Sequence, residues 1–175
     1  MKGFVMVLEI KAPNALSIPK IFLAGSIDQG KAEEWQKTVV NDLKNLEANL
    51  IVFNPRRDEW DSSWVDGDSR LKNQIYWELK YLKESNIIFY YFDPKGQAPV
   101  TMLEFGKYIG DSSKKLIVVC PDGFWRKANV VQTALFYGHD KVFNSLDEGI
   151  IELRAYLNTW FRSDFVVSAP QTNLA

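Results

Sequence analysis

Short apolar runs alternate along the chain with segments in which apolar residues recur at helical spacing. The runs Ile21–Ala24, Leu50–Phe53, Ile87–Phe92 and Leu116–Cys120 have the length of strands and are rich in β-branched or aromatic residues. Because apolar residues occupy successive positions, both faces of each run need cover. We therefore predict four strands that are buried on both faces of a sheet.

Three other segments have the periodicity of amphipathic helices, with apolar residues three or four positions apart. The last one is preceded by Ser145-x-x-Glu148, a pattern typical of a helix N-terminus. The apolar stripes consist of Trp35, Val39, Leu43 and Leu46 in the first segment, Leu71, Ile75, Leu79 and Leu82 in the second, and Ile150, Leu153, Leu157 and Trp160 in the third.

The alternation of strands and helices predicts an α/β fold: a flavodoxin- or Rossmann-like open parallel sheet of about five strands, with helices on both faces. Residues 4–10 are the candidate for the additional strand. A length of 175 residues is that of one domain. We expect this domain to span residues 1–162, with its core at 20–162, and residues 163–175 to form a loosely ordered C-terminal tail.

Parallel sheets of this kind bind ligands beyond the carboxyl ends of their strands. Four loops follow the predicted strands: AGSIDQG at 24–30, NPRRDEW at 54–60, FDPKGQAPVT at 92–101 and CPDGFWRKAN at 120–129. These four loops are therefore the candidate ligand-binding segments.

The first loop carries Gly25, Ser26 and Asp28 ahead of a helix. Glycine allows close approach of the backbone to a ligand, and a helix N-terminus favours an anion or a sugar hydroxyl. The G-x-G-x-x-G spacing of dinucleotide sites is missing. An ordinary turn between strand and helix explains this loop equally well.

The second loop combines Arg56 with Asp58 and Trp60. A guanidinium group suits a phosphate or carboxylate, and an indole ring suits a nucleobase. A solvated surface loop with local ion pairs is the alternative, but the position after a strand favours a binding site.

Two glutamates are candidates for chemistry. Glu104 interrupts the apolar run PVTMLEFG after the third strand, where we expect a helix to begin. Partial burial would raise its pKa, whereas helix-terminal amides would lower it. An oriented carboxylate can attack an electrophilic sugar carbon, and a second carboxyl group can transfer protons. Glu78, one helical turn from Gln74, is the candidate for the second group, although a surface ion pair with Lys80 explains it as well.

Composition narrows the function classes. A net charge of −1 argues against a nucleic-acid polymer or an anionic membrane as the main partner. One cysteine and one histidine make a disulfide, a metal site or a Ser–His–Asp triad improbable, so we expect no metal. We also expect no cofactor, because a carboxylate nucleophile and a stacked, hydrogen-bonded base suffice for the chemistry described below. The sequence has neither a long apolar span nor a signal-peptide pattern, which favours a cytoplasmic location.

Several segments together resemble the nucleoside 2-deoxyribosyltransferases and their deoxynucleotide N-glycosidase relatives. The resemblance covers about residues 7–140 and depends on the order and spacing of its motifs. These motifs are FLAGSI at 22–27, NPRRDEW at 54–60, ELKYLKESNIIFYYFDP at 78–94, TMLEFG at 101–106 and CPDGFWRKAN at 120–129, with EIKAPN as a lead-in.

The resemblance implies roles for individual residues. Glu104 takes the position of the nucleophile that attacks the anomeric carbon, and Glu78 that of an aspartate that positions the sugar or transfers protons. Ser26 and Asp28 fall in the loop that lines the sugar pocket. Asn129 matches an asparagine that reaches the sugar in a neighbouring subunit, which implies a homo-oligomer whose site is shared across the interface.

Two positions depart from the family pattern. The acidic residue that handles the proton of the base is replaced by Ala98, with Asp93 as the nearest substitute together with Gln97. A tyrosine common in the first strand is replaced by Phe22.

The function that we expect is exchange or cleavage of the N-glycosidic bond of a 2′-deoxynucleoside through a covalent glycosyl–glutamate intermediate. The partner would be a small nucleoside or nucleobase, or a 5′-nucleotide. The alternatives are a deoxynucleotide N-glycosidase, which would hydrolyse the bond, and a nucleotide-binding module without catalysis.

Overall fold

The computed structural model describes residues 18–27, 33–46, 48–57 and 63–167. Its strands are β1 (Lys20–Gly25), β2 (Ile51–Phe53), β3 (Ile87–Tyr91) and β4 (Lys115–Val119). They form one parallel sheet of four strands, which confirms the predicted α/β fold with a slightly lower strand count. The predicted strand at residues 4–10 lies outside the described residues.

The strand order in the sheet is β2-β1-β3-β4. The chain moves outward from β1 to β2, and then returns to the other side of β1 to form β3. In such sheets the carboxyl ends of the two central strands, here β1 and β3, border a crevice in which ligands bind. The register places Ala24 opposite Tyr90 across this boundary.

Five helices cover the two faces of the sheet: α1 (Trp35–Leu43), α2 (Ser69–Glu84), α3 (Pro99–Tyr108), α4 (Lys127–Phe136) and α5 (Leu146–Val167). Side chains of α2, α3 and α4 share a core cluster with Phe22, Tyr90 and Val118, and we call this side the α2–α4 face. Side chains of α1 and α5 share the other cluster with Leu23 and Phe89, and we call that side the α1–α5 face.

Strand residues alternate between these two clusters. In β3, Ile88 and Tyr90 point to the α2–α4 face, whereas Ile87, Phe89 and Tyr91 point to the α1–α5 face. All five residues are buried, which agrees with the prediction of a strand covered on both sides.

Local signals account for the starts of α2, α3 and α5. Pro99 is the first residue of α3, where its missing N–H costs no hydrogen bond. The carboxylate of Asp68 caps α2 by accepting from the backbone N–H of Arg70. Before α5, the Ser145 hydroxyl accepts from the N–H of Glu148 at 3.2 Å, as the capping pattern predicts. Helix α5 ends at Val167, so the start predicted for the tail, residue 163, falls within it.

The stripe predicted for α2 is wrong. Ile75 and Leu79 are exposed, and of the predicted residues only Leu82 is fully buried. The helix instead contacts the sheet through Trp77 and Tyr81, whose rings pack on Phe53. Two aromatic rings four residues apart bury more apolar surface than the leucine stripe, so they determine how the helix is rotated.

Candidate functional site

The loops after β1 and β3 meet at the boundary between the two central strands. The Ser26 N–H donates to the Tyr91 carbonyl at 3.3 Å, and the Asp93 N–H lies 3.4 Å from the Ser26 hydroxyl oxygen, which accepts from it. Ser26 and Asp93 are both buried. The structure thus brings together two of the predicted binding residues at the place where this fold binds ligands.

Gly25 is required by packing. A Cβ at this position would lie 2.5 Å from the Trp35 ring and 2.5 Å from the Tyr91 carbonyl oxygen. The Trp35 indole N–H in turn donates to the Ser26 carbonyl at 3.1 Å. The absent side chain therefore lets α1 and the β1 loop lie close together, which positions Ser26.

Glu104 is the sixth residue of α3, so our expectation that a helix begins there is wrong: it begins at Pro99. Only the first turn of a helix has unpaired N–H groups, and Glu104 lies beyond it. The side chain is half-buried. Burial, followed by the like charge of Glu78, raises the pKa of Glu104 to about 8, against the opposing effect of Lys107. The carboxyl group is therefore mostly protonated at neutral pH in the free protein.

Glu78 approaches Glu104 from α2. Its Oε1 accepts from the Gln74 side-chain amide at 2.8 Å, and the same amide group donates to the Pro55 carbonyl at 3.1 Å. Burial raises the pKa of Glu78, while the Gln74 hydrogen bond and the charge of Arg57 lower it. Gln74 therefore fixes the Glu78 carboxyl group relative to the loop after β2.

Two carboxyl groups from different helices thus interact at one end of the α2–α4 face. Simultaneous ionisation of two neighbouring, partly desolvated carboxyl groups is unfavourable. The pair therefore retains one proton at a pH at which isolated glutamates are ionised. A pair of this kind offers one group that can act as a nucleophile or base and one that can donate a proton.

A cleft of about 490 Å³ lies between the loop after β2 and α2. The Gln74 side chain belongs to its lining, so the cleft borders the residue that holds Glu78. The other lining residues are Asn54, Pro55, Arg57, Trp64, Arg70, Asn73 and Trp77. The Arg57 guanidinium group lies 3.6 Å from the centroid of the Trp64 ring. Indole rings and guanidinium groups together suit a planar, anionic ligand.

Comparison with known proteins identifies the fold family. The family model described as nucleoside 2-deoxyribosyltransferase like matches residues 18–124, which is more than half of the chain. The chain belongs to this family. The matched range includes both glutamates and the cleft, and the family description suggests glycosyl transfer involving nucleosides. No curated protein sequence matches the chain significantly.

The fold of this nucleoside 2-deoxyribosyltransferase-like protein is also found in a solved structure, the crystal structure of a conserved protein from Enterococcus faecalis V583. The two chains are 13% identical, and the match has a TM-score of 0.57. It covers 80% of the present chain and 99% of the other. At this identity the likeness concerns the fold alone.

Other predicted residues of the deoxyribosyltransferase-like protein lie apart from the glutamate pair. The Arg56 side chain donates to the Glu33 carbonyl at 3.0 Å and so connects the β2 loop to the segment before α1. Asn129 is exposed on α4. Three further predicted residues, Asp28, Asp58 and Trp60, lie outside the described residues.

The two departures from the family pattern have distinct surroundings. Ala98 is the residue before α3, is buried, and has a left-handed backbone with φ of 49°. Its nearest acidic neighbour in sequence, Asp93, is tied into its own loop, since its carboxylate accepts from the Lys95 N–H at 2.9 Å. Phe22 packs against Trp77 at a ring distance of 6.3 Å on the α2–α4 face.

Sequence reasoning missed Tyr90 and two residues of the cleft, Trp64 and Trp77. Trp77 carried a signal, because it lies one helical turn from Tyr81 in a helix rich in aromatic residues. Nothing in the local sequence distinguishes Tyr90 from its strand neighbours. Within the described ranges, no group of three or more His, Cys, Asp or Glu side chains is placed to hold a metal ion, and no helix is long and apolar enough to span a bilayer.

Proposed function

We propose that the protein exchanges or cleaves the N-glycosidic bond of 2′-deoxynucleosides, with Glu104 as the nucleophile. The observation that carries this proposal is the interaction of the half-buried Glu104 with Glu78 in a chain of this family. Burying a carboxyl group beside a like charge is unfavourable, and such arrangements are typical of catalytic sites.

The proposed reaction has two displacements. An ionised Glu104 oxygen forms a bond to C1′ of the deoxyribose as the C1′–N bond breaks, and the departing base takes a proton from a neighbouring acid. Glu78 is proposed as this acid: the proton that the pair holds on Glu104 moves to Glu78 before the attack. A second base then attacks C1′ through a ring nitrogen, gives its N–H proton to the Glu78 carboxylate, releases the Glu104 carboxylate and restores the original configuration. Water as the acceptor gives free deoxyribose instead.

Ser26 and Asp93, at the boundary between β1 and β3, are the proposed contacts for the sugar. Asp28, Arg56, Asp58 and Trp60 remain proposed ligand contacts on the basis of the sequence. The proposed mechanism uses no cofactor, since a carboxylate nucleophile and a proton donor supply the chemistry.

The test of this function is chromatography of the purified protein incubated with deoxyinosine and free adenine. We expect new deoxyadenosine, and a loss of at least about 1,000-fold in Glu104→Ala, because the covalent step has no other nucleophile. The matched control is Glu84→Ala, an exposed glutamate on α2, which should retain activity. If Glu104→Ala forms deoxyadenosine at the wild-type rate, the proposal is wrong.

The second candidate function, hydrolysis of a deoxynucleoside 5′-monophosphate, is favoured by the two arginines, Arg57 and Arg70, that line the cleft. Guanidinium groups bind phosphate oxygens in pairs of hydrogen bonds. Release of free base from the 5′-monophosphate, without exchange into a second base, would select this function. Tight binding of the nucleotide without turnover would select the binding module.

We also propose that the protein forms a homo-oligomer through the outer surface of α2, α3 and α4, which would bring Asn129 towards a neighbouring site. Large apolar side chains are exposed there, among them Leu103 at 75% and Phe136 at 84%. Exposed apolar patches of this kind favour association. Sedimentation should give a dimer or larger assembly that Phe136→Ser weakens, and a strict monomer at micromolar concentration would contradict the shared site.

A further inference from the structure

Tyr90 occupies the centre of the sheet and is fully buried, with 0% of its surface exposed. It lies in β3 between Ala24 of β1 and Val118 of β4, so neighbouring strands hold its backbone on both sides. Its ring packs edge-on against Phe105 at 5.4 Å, and Phe105 is the residue after Glu104 on α3. The ring is therefore held in place by the sheet and by the helix that carries the candidate nucleophile.

The hydroxyl group of Tyr90 has no hydrogen-bond partner within the part of the chain that the structure describes. Leaving a buried donor unsatisfied costs about 1–3 kcal/mol. Its neighbours on the same face of β3, Ile88 and Phe92, are apolar and buried. Phenylalanine at position 90 would fill the same space without this cost, so packing alone does not explain the hydroxyl group.

The charged group that acts most strongly on this hydroxyl is Glu104. Burial raises the pKa of Tyr90 well above its ordinary value, and the charges of Glu104 and then Tyr108 raise it further. The phenol therefore stays protonated and can donate a hydrogen bond. Tyr108, unlike Tyr90, is not among the described residues with a buried side-chain oxygen that lacks a partner.

We infer that the Tyr90 hydroxyl is a positioning donor for Glu104: it hydrogen-bonds the ionised carboxylate and directs the other carboxylate oxygen towards the sugar. This inference depends on the proposed role of Glu104 as a nucleophile. The hydrogen bond forms when the carboxylate is ionised, and it shortens when the substrate is in place, because hydrogen bonds of this kind are commonly long in the free enzyme.

The hydrogen bond would have two consequences. It stabilises the charged form of Glu104, which opposes the effects of burial and of Glu78 from α2 and adds to that of Lys107 from α3. It also restricts the rotation of the carboxylate, so that a larger fraction of molecules has the orientation required for attack on C1′. Tyr90 touches neither the sugar nor the base in this scheme, and acts through Glu104.

The first test measures the pKa of the Glu104 carboxyl group by carbon NMR in protein labelled at the glutamate side-chain carboxyl carbons. The signal of Glu104 is the one that disappears in Glu104→Gln. In Tyr90→Phe we expect this pKa to rise by about 1 unit, because the ionised form loses its donor. The matched control is Tyr91→Phe, on the same strand but facing the α1–α5 side, which should leave the pKa unchanged.

An unchanged or lowered pKa of Glu104 in Tyr90→Phe would overturn the inference. This readout requires no substrate, so it separates failure of the inference from failure of the proposed function. Tyr90→Phe removes an unpaired buried hydroxyl, so the variant should fold and melt at or above the wild-type temperature.

The second test compares kcat for base exchange in the same variants. Tyr90→Phe should lower kcat about 10- to 100-fold at pH 7 with little change in KM, because orientation of the nucleophile is lost. The loss should be smaller at pH 9, where Glu104 is mostly ionised in the wild type and about half ionised in the variant. A kcat equal to that of Tyr91→Phe at both pH values would contradict the inference.

Discussion

The charged interactions that connect one secondary-structure element to another differ between the two faces of the sheet. On the α1–α5 side, Arg154 of α5 bonds Asp42 of α1 at 3.0 Å, and Lys115 of β4 bonds Glu152 of α5 at 3.1 Å. On the α2–α4 side, Glu78 and Glu104 are like charges, and Glu78 makes the ionisation of Glu104 less favourable. The first arrangement stabilises the fold. The second is unfavourable for stability, and such costs are expected where a chain carries a functional site.

The outer surfaces differ as well. On α5, among residues 146–162, whose side chains the structure describes, the exposed large apolar residue is Ile151, whereas α2, α3 and α4 each expose more than one. Because both helical layers cover the same sheet, this difference does not come from the fold class. It indicates that the α1–α5 face supplies stability and that the α2–α4 face is adapted to binding.

The largest effect on stability is expected from Leu153→Ala. Leu153 is fully buried in α5 against the sheet, and its truncation should lower the free energy of unfolding by about 3 kcal/mol through lost burial and a cavity. The control on the same helix is Ile151→Ala, at 67% exposure, which should cost less than about 1 kcal/mol. Urea unfolding of both variants measures the two values. Equal losses of unfolding free energy in the two variants would show that the buried face of α5 does not contribute to the core as described.

An intermediate effect, opposite in sign, is expected on the other face. The folded-state pKa of Glu104 is about 8, above its value of 4.5 when unperturbed, so the folded protein binds the proton more tightly than the unfolded chain does. Stability should therefore fall as the pH rises from 4.5 to 8. Glu104→Gln removes this contribution and should be more stable than the wild type by about 1–2 kcal/mol at pH 9.

The stability of Glu104→Gln and of the wild type should converge near pH 4, where the wild-type carboxyl group is neutral. Thermal unfolding at several pH values measures the difference. Glu84→Gln, an exposed glutamate on α2, serves as the control and should show no such trend. A Glu104→Gln protein that is less stable than the wild type at pH 9 would show that the carboxylate is stabilising and not strained.

The smallest effect is expected for the ion pair between Arg154 and Asp42. Both side chains are partly exposed, so a double-mutant cycle with alanine at each position should give a coupling free energy of about 0.5 kcal/mol. Raising the salt concentration should reduce it further. A coupling free energy above about 2 kcal/mol would contradict this prediction, because it would mean that this ion pair stabilises the fold far more than a solvent-screened pair can.

Apolar periodicity alone determined much of the fold. The strand ends were predicted to within one residue, because a continuous apolar run of strand length is typical of a buried strand. In α5, three residues of the predicted stripe are buried (Ile150, Leu153 and Leu157), whereas Trp160 is only partly buried. The capping serine was predicted correctly, since a helix cap is a local pattern. Glu104 was singled out because a carboxylate among apolar residues is costly wherever it is placed.

Only the tertiary structure decided which residues meet. In α2, a leucine stripe and an aromatic stripe both fit helical spacing, and the position of Phe53 on the neighbouring strand determined which one is buried. In β3, every residue is apolar or aromatic, and the packing of α3 on the sheet determined that the Tyr90 ring contacts Phe105, the residue next to Glu104. A local sequence pattern shows whether a segment is a helix or a strand. Which residues of two elements touch depends on how each helix is rotated about its axis and on the register of each strand, and the packing of the whole core sets both.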